Sequence, residues 1–140
     1  MTGSARQTRL RAFLDQVWSS DDPEAARDFL ADTYTIHLDS GDPWEGRTLD
    51  RNEFVDRVRI SRTDAPDQKF SIVDMIEDGD KIAVTWTWCG THSAEIAGIP
   101  ATGKPITMTG ATIYYFAGDL ICGHWQIADK LGVVQQLQRP

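Results

Sequence analysis

The spacing of apolar residues changes once along this chain, and that change constrains the fold more than any other feature. In the first third, Leu10, Phe13, Leu14, Val17 and Trp18 recur at i, i+3, i+4, i+7 and i+8, the stripe of an amphipathic helix. From Lys69 onward apolar and polar residues alternate instead, as in strands whose successive side chains point to opposite faces. Helices followed by a meander of strands predict an α+β domain, with the helices packed on one face of a curved sheet. The 140 residues suit one domain with a core of its own.

Local signals place the elements. Pro23 opens a second helix behind the N-cap candidate Asp22, with Ala26, Phe29 and Leu30 inward. Residues 34–38 form a short β-rich run, and 39–46 are turn chemistry throughout. A third helix is predicted at about 49–62, capped by Asp50 or Asn52, with Phe54, Val55, Val58 and Ile60 on its apolar side. Strands follow at 70–76, 81–91, 106–116 and 120–128, joined by an Asp-Gly turn at Asp78-Gly79, a glycine loop at 98–105 and a tight turn at 117–119.

Composition removes several function classes. With 14 Lys+Arg against 21 Asp+Glu, the net charge is −7 and no basic face is available to neutralise nucleic-acid phosphates. No apolar run approaches the roughly 18 residues that span a bilayer, and the N-terminus lacks a signal-like apolar stretch, so a cytoplasmic location is expected. Cys89 and Cys122 lack metal or redox spacing and are expected as buried thiols; three scattered histidines without HxH or HxxxH spacing predict no metal site.

Alternation sorts the candidates by face. Ile82, Val84, Trp86, Trp88 and His92 share one face of their strand, as do Met108, Gly110, Thr112, Tyr114 and Phe116 on the next. On the last strand Leu120, Cys122, His124 and Gln126 oppose Ile121, Gly123, Trp125 and Ile127. Aromatics mixed with His, Gln, Thr and Tyr are the makeup of an apolar ligand pocket with a few orienting polar groups, whereas a solid core seldom spends so many polar atoms on one inward surface. A partly solvated face gives the same pattern. His124, with Gln126 two residues on, is the candidate for acid/base work. Asp129 ends the last strand on the face opposite Gln126, before a helical segment at 131–137, which suits an N-cap better than a catalyst.

These residues carry a family likeness. The sequence resembles the SnoaL-like polyketide cyclases, a branch of the cone-shaped superfamily named after nuclear transport factor two. The likeness runs over nearly the whole chain: Phe29 to Tyr34 leading into His37, Glu45-Gly46-Arg47, Gly90-Thr91-His92, the loop Gly98 to Lys104, Ile113-Tyr114, His124-Trp125, and the tail Gly132 to Gln138. It implies three N-terminal helices closing over a strongly bent antiparallel sheet with an internal cavity, a small homo-oligomer (homodimer or homotetramer), and no cofactor. It also implies aldol-type ring closure of a hydrophobic polyketide-like carbonyl substrate, with an aspartate on the last strand as acid/base.

That aspartate follows the His-Trp pair in the family; here the position is Gln126, and an amide cannot exchange a proton near neutral pH. Three alternatives follow. His124 or Asp129 takes over proton transfer while Gln126 orients the carbonyl; the cavity runs a different reaction, such as isomerisation or hydrolysis; or the protein binds a small molecule without transforming it. The candidate catalytic set is therefore His124, Gln126 and Asp129, and the candidate substrate contacts are Tyr34, His37, Trp86, Trp88, His92, Thr112 and Tyr114. A further reading gives the sheet's open face, with Trp125 and Tyr115, to assembly.

Overall fold

The computed structural model describes residues 3–139. Helix α1 (Ala5–Phe13) runs into a π-helical turn at Leu14–Trp18, and of the predicted stripe Leu10, Phe13, Leu14 and Val17 are buried while Trp18 is half-buried. The second helix is shorter than its sequence suggests: a 3-10 stretch at Pro23–Asp28, with Leu30 already in strand β1 (Leu30–Asp39). Long-range pairing wins over local propensity here, since the Ile121 N–H donates to the Phe29 carbonyl at 2.8 Å and Leu30 sits opposite Ile121.

A three-residue strand β2 (Thr48–Asp50) pairs with β1 and delivers the cap of α2 (Arg51–Asp64). Asp50 closes a capping box: its side chain accepts from Glu53 N at 2.8 Å, and Glu53 accepts from Asp50 N at 3.2 Å. Asn52, the other cap candidate, instead accepts from Arg27 Nη1. Helix α2 buries Phe54, Val55 and Val58 but leaves Ile60 exposed, contrary to expectation.

Strands β3 (Lys69–Asp78), β4 (Lys81–Thr91), β5 (Pro105–Ala117) and β6 (Leu120–Ala128) form the expected meander, extended in the order β2-β1-β6-β5-β4-β3. All neighbours are antiparallel except β1 and β6, which run parallel and place Ile36 opposite His124 and Asp39 opposite Gln126. No local signal marks this pair, because parallel strands are joined by a long crossover rather than a turn.

Two register irregularities correct the simple alternation. In β6, Tyr115 pairs with Gly123 but Phe116 with Ile121, so Cys122 is an extra residue; Ile121 turns inward and is fully buried. In β1, Ile36 pairs with His124 but Leu38 with Trp125, which makes His37 the extra residue and swings Asp39 to the inner face.

The helices cover the concave face of the sheet. Phe13 meets Phe29 and Tyr114 edge-on with centroids 5.7 and 6.0 Å apart, and Tyr34 meets Phe54 at 4.8 Å. Gly110 lies under the Trp86 indole, where a Cβ would come within 2.3 Å of the ring, so this glycine gives the tryptophan its room. Helix α3 (Lys130–Gln138) begins at Asp129, whose side chain accepts from Gly132 N at 2.9 Å. It is tied to β5 by Gln136, which accepts from Thr107 N and donates to Thr107 O. Cys89 is exposed on the outer face and Cys122 half-buried, so neither is the buried thiol expected. Among the described residues, no helix is long and apolar enough to cross a membrane.

Candidate active site

Between the helices and the concave face lies a cavity of about 520 Å³. Trp86, Trp88, Tyr114, His124 and Gln126 line it, as the face assignment predicts, and so does Tyr34 from β1, a candidate that the family likeness brought in. Its volume falls in the range of small-molecule sites.

The polar floor is organised around a residue that the sequence does not single out. Asp39 is 3% exposed, and its Oδ2 lies 3.0 Å from His124 Nε2. Gln126 Nε2 donates to Oδ1 at 3.3 Å and to Oδ2 at 3.4 Å, and Arg57 Nη2 approaches Oδ2 at 3.4 Å. Arg57 is shared with Asp42 at 3.1 Å and lies against the Trp18 ring at 5.3 Å. Alternation directs Asp39 outward; only the irregularity at His37 turns it in, so the one clue in the sequence was an acidic residue beside a histidine.

The hydrogen-bond directions follow from the groups that can only donate. The Trp86 indole donates to Thr112 Oγ1 at 2.9 Å, so the Thr112 hydroxyl donates onward to Gln126 Oε1 at 2.8 Å. That fixes the amide with its NH₂ toward Asp39. On the other side Asp39 takes the Nε2–H of His124, leaving Nδ1 to accept from the Tyr34 hydroxyl at 2.6 Å. Donors thus converge on one carboxylate from two directions. Burial lowers the His124 pKa from its ordinary value, and the hydrogen bond to Asp39 offsets this only in part, which agrees with a neutral ring held between phenol and carboxylate. Burial likewise pushes the Tyr34 and Tyr114 phenols upward, keeping both as O–H donors.

Four candidates lie elsewhere. His37 is on the outer face, edge-on to the Tyr115 ring at 5.0 Å. His92 is fully buried outside the cavity wall, where its Nδ1 lies 2.8 Å from Thr102 Oγ1 and accepts from Thr102 N at 3.2 Å, anchoring the glycine loop. Thr112 sits behind the wall as a link between Trp86 and Gln126. Asp129 is the α3 cap, removed from the floor. Among the described residues, no group of three or more His, Cys, Asp or Glu is placed to hold a metal ion.

Helices closing over a bent sheet, with a cavity between them floored by buried polar groups, define an α+β cone of the nuclear transport factor two type. Within that class the chain belongs to the SnoaL-like polyketide cyclase family, whose model matches residues 8–137. It is similar to the crystal structure of a proposed polyketide cyclase from Acidithiobacillus ferrooxidans, with 46% identity, TM-score 0.93, and 99% of this chain and 97% of that one covered. It is also similar to IdmH, a proposed polyketide cyclase from Streptomyces antibioticus, at 28% identity and TM-score 0.81 over 96% of this chain and 99% of that one. TsrD from Streptomyces laurentii shares the fold, at 23% identity and TM-score 0.80 over 99% and 98% of the two chains. No curated protein matches the chain in sequence.

Proposed function

We propose that this protein is a cyclase-type enzyme that performs acid/base chemistry on a hydrophobic, polyketide-like carbonyl compound, with the Asp39–His124 pair as its titratable centre. The observation that carries this reading is the buried carboxylate of Asp39 on the cavity floor, hydrogen-bonded to His124 and Gln126. The family's acid/base aspartate is replaced at Gln126, yet the register partner of Gln126 on the neighbouring strand is Asp39. A carboxylate therefore stands one strand away from the vacated position.

In the ring closure, a base removes the proton on the carbon next to a carbonyl. The resulting enolate carbon attacks a second carbonyl, and the new alkoxide takes back a proton. Asp39 Oδ1, whose partner is the long contact to Gln126, is the oxygen free to accept the first proton. His124 holds and orients Asp39 through Nε2–H and is itself oriented by Tyr34. Because both of its ring nitrogens are engaged, His124 acts as a pair with Asp39 rather than alone. Gln126 and Tyr114 supply hydrogen bonds to the substrate, and Trp86 and Trp88 fold it by shape, which converts a floppy chain into a near-attack geometry. The proton bookkeeping closes without a redox or metal cofactor.

Asp39→Asn preserves shape and removes the base. Turnover of a substrate identified from co-purifying material by native mass spectrometry is expected to fall by about a hundredfold or more. Full turnover in that variant rejects the assignment. Gln126 itself favours a second reading, a small-molecule binder without catalysis, and Gln126→Asp separates the two: ring closure appearing only in the variant supports the binder.

A further inference from the structure

A cavity that shapes a long, apolar chain needs something to set which end goes where, and the wall opposite the Asp39 floor holds an unused donor. Gln68 lies between α2 and β3, is 3% exposed, and forms part of the cavity wall. Its Oε1 accepts from the Trp88 indole N–H at 3.0 Å. An indole can only donate, so the amide cannot be turned the other way. Its NH₂ is left buried with no hydrogen-bond partner. Arg57, the other cavity residue with an unpartnered buried nitrogen, has its guanidinium against the Trp18 and Phe54 rings and its charge engaged by Asp39 and Asp42. Gln68 has no such compensation.

A buried donor without an acceptor costs free energy in the empty protein, and an acceptor arriving with a ligand recovers it. Its position says where on the ligand that acceptor must be. Trp88 pairs with Met108 and Gln126 with Thr112, four positions apart along β5, a rise of about 13 Å along that strand, so the two amides belong to different stretches of the sheet. We infer that Gln68 is a specificity-determining residue that donates a hydrogen bond to a second oxygen acceptor of the substrate, at the end remote from the carbonyl held over Asp39. The inference rests on the proposed ligand-binding role of the cavity. It narrows the substrate to an extended compound with oxygen functions at both ends.

Two rigid probes test it: para,para-diacetylbiphenyl, with a carbonyl at each end, and the analogue with one acetyl replaced by ethyl. Calorimetric titration of the wild type is expected to show the diketone bound about tenfold more tightly than the monoketone. Gln68→Met, which keeps the length and loses the donor, is expected to bring that ratio to about one. The Gln68 side-chain amide protons of the wild type are expected to move downfield with the diketone, a readout that stands even if the variant does not fold. Equal affinities in the wild type, a ratio unchanged in Gln68→Met, or amide protons that do not move overturn the assignment of Gln68 alone. Failure of the wild type to bind either probe removes the cavity reading itself and this inference with it.

Discussion

His124 illustrates how one side chain's surroundings decide its chemistry. An exposed imidazole titrates near 6.5; here burial favours the neutral ring, and the bond to Asp39 restores only part of the charged form's stability. Its folded pKa is thus below its unfolded one, so below about 6.5 the unfolded chain binds more protons than the native one. The stability contributed by His124 is complete above that pH and is lost as the pH falls toward the folded pKa. Denaturant unfolding across this window should show stability declining with acid, and His124→Asn should flatten that part of the slope. An unaltered slope in the variant would mean that the ring is not held neutral. Gly110→Ala belongs to the same scale: a Cβ would collide with Trp86, and both the melting temperature and the shape of the cavity wall should suffer.

Among the elements, α3 and its cap separate structure from chemistry. Asp129 accepts from Gly132 N, and Val133 and Leu137 of the same helix are buried. Asp129→Ala should therefore cost about 1 kcal/mol of stability and leave turnover near wild type. A turnover loss comparable to that of Asp39→Asn would reinstate Asp129 as a catalyst. Strand β1 shows the reverse case. Its second half, residues 34–38, was legible as strand-forming residues, but its extension back to Leu30, its parallel partner and its irregularity at His37 were not, because each depends on β6, more than 80 residues away.

For the whole molecule, the outer face of the sheet carries the remaining expectation. Ile76, Ala83, Ile113 and Trp125 stand in register across β3, β4, β5 and β6, an apolar row on the face turned away from the helices. Ile76 is 69% exposed and, farther along β6, Ile127 is 56% exposed. We expect a second copy to cover this row, as the family resemblance implies. Sedimentation at micromolar concentration should show a dimer or larger assembly that Ile113→Lys dissociates; a monomeric wild type would exclude this.

Local patterns determined the class of fold. The helical stripe at Leu10 to Val17, the Asp50 cap, the Asp-Gly hairpin and the alternation through Trp86, Tyr114 and His124 depend on neighbours within a few residues, and each is where its pattern placed it. Of the ten candidate residues, the same alternation accounts for five that reach the cavity, Trp86, Trp88, Tyr114, His124 and Gln126, and the family likeness supplied the sixth, Tyr34. What only the tertiary structure decided is the identity of the carboxylate. A strand's inner face is readable only while its period of two is unbroken, and the extra residue at His37 breaks it because of how β1 must fit against β6. Asp39 thereby exchanged the exposed place its position suggested for the centre of the site, while His37 took the surface.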